Sequence, residues 1–326
     1  VSTFFGVLAY AMGYKRIINN GWIRELSLLG ILLMLVVLFF KRHDPGWAIN
    51  GAVRWIPLPF MSLQPSEFAK IEVILLAAYV LDRMRRQQQV VSFFTHNAEF
   101  WKLIGTTLLF SGLVLKQPDM GTASIIFGLT FLMVIMAGLP RKQLLLLIGT
   151  VAGLAACLAL AAPYRLQRLK YWLDPWLDAG GAGYQGVQAQ LAIGSGGFLG
   201  KGWLAGTQSQ LNFLPENHTD FIFAVAGEEF GFIGTVFIIC MYLIIIWRGI
   251  AIALDADDTF GMLLATGVTS MFMFHIMVNI GMTAGIMPVT GVPLPFLSYG
   301  VSSLTTNLML VAILLNVKVR KKNLQF

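Results

Sequence analysis

Asp220 closes a polar hexapeptide, Pro215-Glu216-Asn217-His218-Thr219-Asp220, and is followed at once by Phe221-Ile222-Phe223-Ala224-Val225, the start of a membrane-length apolar run. A carboxylate where water meets bilayer experiences partial desolvation and the charges that gather at such a boundary. These are the influences that tune an acid for proton transfer. Asp220 is therefore the first candidate for a general base, with Glu216 and His218 beside it as candidates for substrate contact. His218 with Glu216 or Asp220 could also ligate a metal, but a lone His in a polar loop does not define a metal site.

Other polar strings carry a second tier of candidates. In Gln64-Pro65-Ser66-Glu67-Phe68-Ala69-Lys70 the proline suits a helix start, and Glu67 in the first turn meets the positive helix end. Lys70 lies one turn deeper on the same face, so the spacing implies an ion pair or a polar lining, structural or part of a site. Arg54 beside Trp55 offers a guanidinium and an indole, suited to phosphate and to sugar faces or to simple interfacial anchoring. Asp119 in Gln117-Pro118-Asp119-Met120 is placed to cap the helix that follows.

Gly194-Ser195-Gly196-Gly197-Phe198-Leu199-Gly200-Lys201-Gly202 invites comparison with a nucleotide phosphate loop and fails it. Ser195 stands where that motif needs Gly, and Gly202 where it needs Ser or Thr. Two readings remain: tight turns that need positive φ, or backbone amides near a pyrophosphate with Lys201 as counter-charge. Glu228 and Glu229 lie about two helical turns below Asp220 and are read as packing or ion-pairing residues.

The elements that position these residues follow from composition. Hydrophobic residues make up 57% of the 326-residue chain and charged residues 12%, which marks an integral membrane protein. The apolar runs are unbroken rather than alternating, so the fold expected is an all-α polytopic helix bundle and not a β-barrel. Nine apolar segments are read: Val1 to Tyr14, Trp22 to Phe40, Ser66 to Leu81, Trp101 to Leu115, Gly121 to Gly138, Gln143 to Ala162, Phe221 to Trp247, Gly261 to Gly285 and Val301 to Val317. Together they form one transmembrane domain over residues 1–326, with a large loop over 163–220.

Alternation of the segments sorts the basic residues into two sets of loops. Lys15, Arg16, Arg24, Arg83, Arg85, Arg86, Lys102, Arg141, Lys142, Arg248, Lys318, Arg320, Lys321 and Lys322 fall on one side. Lys41, Arg42, Arg54, Lys116, Arg165, Arg168, Lys170 and Lys201 fall on the other, in longer loops. The richer side is expected to be cytoplasmic, which puts the 163–220 loop outside, away from ATP and nucleotide sugars. The net charge of +7 therefore speaks for orientation rather than for nucleic acid. Within the loop, Pro163 to Asp178 is expected to form an interfacial helix, with Leu166, Leu169, Leu173 and Leu177 at near-helical spacing, Arg165, Arg168 and Lys170 between them, and Trp172 and Trp176 at headgroup level. Cys157 and Cys240 sit inside apolar runs and imply no disulfide.

Read together, Gly51 to Ile56, Gln64 to Ile71, Gln117 to Thr122, Gly181 to Gln185, Ala192 to Gly202, Leu214 to Ala224, Gly291 to Gly300 and Ser302-Ser303 resemble the SEDS family of bacterial cell-wall polymerases, the RodA, FtsW and SpoVE group. Gly202 to Leu214 is more similar to the RodA branch. The resemblance implies a ten-helix fold, of which this chain is expected to begin in the second helix. It also implies glycosyl transfer on lipid II and its lipid-linked glycan strand at the outer face of the bacterial plasma membrane, with a class B penicillin-binding protein transpeptidase as partner. It matches Asp220 to the family's essential aspartate and Glu67 and Lys70 to its intramembrane pair. Arg54 and Asp119 match polar residues of its outer cavity, while Ser298 falls within the matching Gly291 to Gly300 string. The family usually continues Tyr-Gly with Gly, whereas Tyr299-Gly300 is followed by Val301, so the turn before the last helix is expected to differ.

The chemistry implied is inverting transfer, in which Asp220 accepts the proton of a sugar hydroxyl as it attacks an anomeric carbon. Pyrophosphate departs without a general acid, so cations, Arg54, Lys70 and Lys201, would offset the leaving charge. The sequence specifies no cofactor; a divalent ion, Mg or Mn, is the one candidate for assistance. Two other classes fit the same composition: a lipid-precursor flippase with Glu67, Lys70, Glu228 and Glu229 along a polar path, and a noncatalytic scaffold for a transpeptidase.

Overall fold

The computed structural model describes residues 2–3, 6–7, 22–43, 54–58, 61–160, 170–181, 183–211 and 213–319. Eight of the nine apolar segments are helices: α1 (Trp22–His43), α2 (Pro65–Arg86), α3 (Ala98–Lys116), α4 (Met120–Met136), α5 (Arg141–Leu160), α8 (Ile222–Leu254), α9 (Thr259–Thr283) and α10 (Val301–Val319). The first segment lies largely outside the described residues, as do Gly51 to Val53 and Arg165 to Leu169. Shorter elements fill the loops: an antiparallel hairpin of β1 (Ile56–Leu58) and β2 (Met61–Leu63), and the helices α6 (Tyr184–Ser195) and α7 (Thr207–Gln210). α3, α8, α9 and α10 are long and apolar enough to cross a membrane by length and composition. The architecture is the helical bundle expected from composition.

The chain divides into two compact units, Val1–Pro140 with Ile246–Phe274 and Gly300–Phe326, and Arg141–Ile245 with His275–Tyr299. In the first, α2 is buried along most of its length. Met34, Ala69, Val73, Phe110, Leu113, Val114, Ala123 and Ile126 join α1, α2, α3 and α4 in one core. This explains how α2 keeps Glu67, Lys70, Glu72 and Asp82: it is surrounded by helices rather than by lipid. Asn97 caps α3 by accepting from the amides of Glu99 and Phe100. A buried hydrogen bond of 3.0 Å between the Thr107 and Thr130 hydroxyls ties α3 to α4. Ser302 binds the hairpin to the start of α10, donating to the Ser62 carbonyl (2.7 Å) and accepting from the Gln64 amide (3.1 Å). Val301 is simply the first residue of α10 and has no positive φ, so the Gly-to-Val departure costs nothing at that position.

The second unit is organised around a break in α8. Gly231 takes φ 63° and ψ −159°, a region that is essentially glycine-only, and the helical ladder is interrupted there. The backbone groups released are taken up by the 196–202 turn. Lys201 and Gly202 amides donate to the Glu228 and Glu229 carbonyls, each at 3.0 Å, and the Phe232 and Ile233 amides donate to Gly197 and Phe198 at 2.9 and 3.2 Å. A β-carbon on Gly231 would run into the Gly200 backbone, so the glycines serve a close backbone approach. The amides of Lys201 and Gly202 point to the helix, not to an anion. α6 packs against the start of α8 through Ala189, Ala192, Leu214, Phe221 and Ala224. Lys170–Leu173 is helical, but the interfacial helix expected to reach Asp178 stops at Asp174: Pro175 follows, and a 3-10 turn, Pro175–Asp178, is capped by the Asp174 carboxylate. A residue before proline is pushed out of the helical region, and proline has no amide with which to continue.

Candidate active site

Asp220 is partly exposed at the end of a turn held from several sides. Its carbonyl accepts a 2.8 Å hydrogen bond from Asn279 Nδ2 of α9, and the same nitrogen donates to the Val292 carbonyl at 2.7 Å. Asn279 thus couples the turn to the 286–300 loop. Gly291, with φ +68°, lies against the carboxylate: a β-carbon there would stand 3.1 Å from Oδ2. Any larger residue would encroach on the acid and adopt a backbone conformation that side chains resist.

The rest of the turn is equally determined. Glu216 has φ 55°, a left-handed conformation uncommon outside glycine, and its carbonyl accepts from the amides of Thr219 and Phe221. Thr219 donates its hydroxyl to Glu216 Oε2 at 2.8 Å. Ser298 Oγ donates to the Thr219 carbonyl and accepts from the Leu294 amide at 2.7 Å. The His218 carbonyl accepts from the Tyr299 amide at 2.9 Å, while its exposed ring faces the Tyr299 ring edge-on and meets Asn217 through Nδ1. Ser298, distant in sequence, therefore joins Glu216, His218 and Asp220 in one neighbourhood.

The 286–300 loop is fastened by side chains that sequence reading passed over. Tyr242 donates to the Pro295 carbonyl at 2.7 Å, and His275 Nδ1 lies 3.0 Å from the Pro293 carbonyl, one turn before Asn279. A signal was available: Tyr, His and Asn inside apolar spans are costly unless satisfied, so each needed a partner. Two prolines in Pro293-Leu294-Pro295 remove amide donors from the loop, so its carbonyls rely more on side-chain donors such as these.

Lys201 belongs to the same unit but is held by Glu228. Its ammonium lies 2.6 Å from Glu228 Oε1 and donates to the Thr207 hydroxyl at 2.9 Å. Fully buried, Glu228 also accepts from the Thr207 and Gln208 amides, so a carboxylate from α8 caps α7 across a sequence gap.

The remaining candidates lie in the other unit. Arg54 donates through Nε to the Gln117 carbonyl (3.1 Å) and through Nη2 to the Pro118 carbonyl (2.6 Å), satisfying acceptors at the C-terminal end of α3. Half-buried Trp55 precedes β1. Asp119 is buried and caps α4 by accepting from the Thr122 amide at 3.0 Å. Lys70 and Glu67 form a buried ion pair, Nζ to Oε1 2.7 Å, one turn apart in α2. Among the described residues no three His, Cys, Asp or Glu side chains gather to hold a metal.

A family model described as "Cell cycle protein", covering FtsW, RodA and SpoVE, matches residues 3–323. The chain belongs to the FtsW/RodA/SpoVE family. It is 41% identical over 295 residues to "Probable peptidoglycan glycosyltransferase FtsW" of Geobacter metallireducens, covering 90% of this chain and 76% of that one. Peptidoglycan glycosyltransferase MrdB of Escherichia coli K12 is 40% identical over 312 residues, 94% of this chain and 80% of that one. Among solved structures, one described as "Structural coordination of polymerization and crosslinking by a peptidoglycan synthase complex" superposes with a TM-score of 0.80 at 29% identity, over 99% of this chain and 89% of that one. The FtsW and MrdB relatives lie within one percentage point of each other in identity, so these two do not separate the branches of the FtsW/RodA/SpoVE family.

Proposed function

We propose that this chain is a peptidoglycan glycosyltransferase that polymerises lipid II, with Asp220 as general base. A sugar hydroxyl is a poor nucleophile until its proton begins to leave. In the reaction proposed, the 4-hydroxyl of the acceptor lipid II sugar attacks the anomeric carbon of the lipid-linked strand. The carbon–oxygen bond to pyrophosphate breaks with inversion, the proton passes to Asp220, and undecaprenyl pyrophosphate departs with the electron pair. Glu216, His218 and Ser298 would shape the acceptor side.

The names of relatives at about 40% identity over most of the chain support the enzyme class. The observation that carries the residue assignment is the construction around Asp220: a partly exposed carboxylate whose backbone is pinned by Asn279 and against which Gly291 brings no side chain. Preorganisation of this kind is what a base needs to meet one hydroxyl in one geometry. Of the cations the sequence offers for the leaving charge, Lys70 and Lys201 are already balanced by Glu67 and Glu228 and would act by fixing those carboxylates, which leaves Arg54 as the candidate. The positive-inside distribution supports an outward-facing site on the bacterial plasma membrane. A penicillin-binding protein transpeptidase is the proposed partner, in keeping with a similar structure described as coordinating polymerization and crosslinking.

The test is polymerisation of lipid II by the purified protein in detergent, where there is no membrane for a flippase to cross. Wild type should make glycan strands, and Asp220→Asn should make none while retaining its fold and lipid II binding. Normal polymerisation by the Asn variant would remove Asp220 from the mechanism. Failure of wild type alone, with synthesis only by an added partner and unchanged by this chain, would favour the scaffold.

A further inference from the structure

The turn that docks on the break in α8 carries an apolar surface unused by the site or the core. Phe198, Leu199, Trp203 and Leu204 are 66%, 77%, 74% and 66% exposed. Two of them continue onto the broken helix: Phe198 stacks on Phe232 with ring centres 5.7 Å apart, and Trp203 meets Phe230 edge-on at 6.1 Å. Beyond the break the same helix exposes Ile233, Val236 and Phe237. We propose that the 196–204 turn is a membrane-interface anchor, seated in the headgroup zone of the bilayer beside the end of α8.

Three observations choose lipid as the occupant. The first is length. α8 has 33 residues, about 50 Å at the helical rise. The stretch from Phe232 to Leu254 is about 35 Å, enough for a hydrocarbon core of about 30 Å if Arg248, near its cytoplasmic end, extends its guanidinium to the headgroups. The break and the aromatic pairs therefore fall where the hydrocarbon ends, the level at which aromatic belts form. The second is backbone satisfaction. The Gly200, Lys201 and Gly202 amides are all donated within the protein, and the Gly196, Gly197 and Phe198 carbonyls all accept within it. Meeting these groups internally lowers the cost of seating the turn against lipid, and the headgroup zone can hydrate the rest. The third is charge: the one ionic group of the turn, Lys201, is paired with buried Glu228. The anchor would hold the loop that ends at Asp220 at a set height above the hydrocarbon.

The experiment places a single cysteine in a chain carrying Cys157→Ser and Cys240→Ser. Leu199→Cys is labelled with an environment-sensitive fluorophore, and Gln210→Cys, exposed on α7, serves as the aqueous control. Both are reconstituted into nanodiscs whose lipids carry bromine either near the headgroup end of the acyl chain or near its terminus. The expected result is severalfold more quenching at 199 than at 210, strongest with shallow bromine. In parallel, Trp203→Phe in otherwise native protein should remove part of the intrinsic fluorescence that shallow bromine quenches. Quenching at 199 no greater than at 210, with free access to iodide, overturns the proposal. So does protection of 199 that arises only when a transmembrane partner is added, and so does a Trp203→Phe variant that loses only unquenched emission.

Discussion

At the scale of single residues, positions that hold a reacting group are distinct from the group itself. Asn279 touches the Asp220 carbonyl and not its carboxylate, so it positions the acid. Asn279→Ala would strand two carbonyls and let the turn part from the 286–300 loop; one buried unsatisfied group costs about 1–3 kcal/mol. The expected outcome is a fall in maximal polymerisation rate of roughly tenfold or more, with the half-saturating lipid II concentration little changed. Steady-state strand synthesis across substrate concentrations checks it. Lys70→Met tests the buried pair. It leaves Glu67 charged in the interior, where removal of one partner costs about 3–5 kcal/mol, and the unfolding temperature in detergent should drop. Glu67→Gln combined with Lys70→Met should recover much of that drop, as measured by the same thermal melt.

At the scale of elements, the break in α8 and the turn docked on it behave as one object. Gly231→Ala would force a side chain into a glycine-only conformation and against the Gly200 backbone, at a cost of about 1–3 kcal/mol or more. The expected readout is faster hydrogen exchange at the Lys201 and Gly202 amides, with exchange across α2 unaltered. Glu228→Gln should loosen a different part of the same assembly. It weakens the cap on α7 and the hold on Lys201, so exchange should rise from Ala205 to Leu211. The two variants separate the backbone lock from the ionic one.

At the scale of the whole molecule, basic residues set the orientation, and orientation decides which substrates the site can reach. Gln87→Cys, just after α2, should react with a membrane-impermeant maleimide only after permeabilisation, whereas Gln210→Cys should react in intact spheroplasts. The reverse pattern would invert the topology and remove lipid II outside the cell as a substrate.

Sequence alone determined the helical bundle, because burying backbone in lipid leaves few solutions and long apolar runs announce the one chosen. It also put Glu67 and Lys70 on one helix face, since residues three apart are neighbours there, and the structure resolved the choice between an ion pair and a polar lining in favour of the pair. It singled out Asp220 as a candidate, because a carboxylate directly before a long apolar run stands out. The tertiary structure decided what local patterns cannot encode. Asn279 reaches Asp220 across 59 residues of sequence, and Ser298 reaches Thr219 across 79. Nothing in Gly194 to Gly202 specifies that its amides answer a helix break at Gly231, nor that Lys201 is balanced by a carboxylate 27 residues away. Hydrogen-bond partners over such separations depend on how the chain closes its loops, and that choice belongs to the folded molecule as a whole.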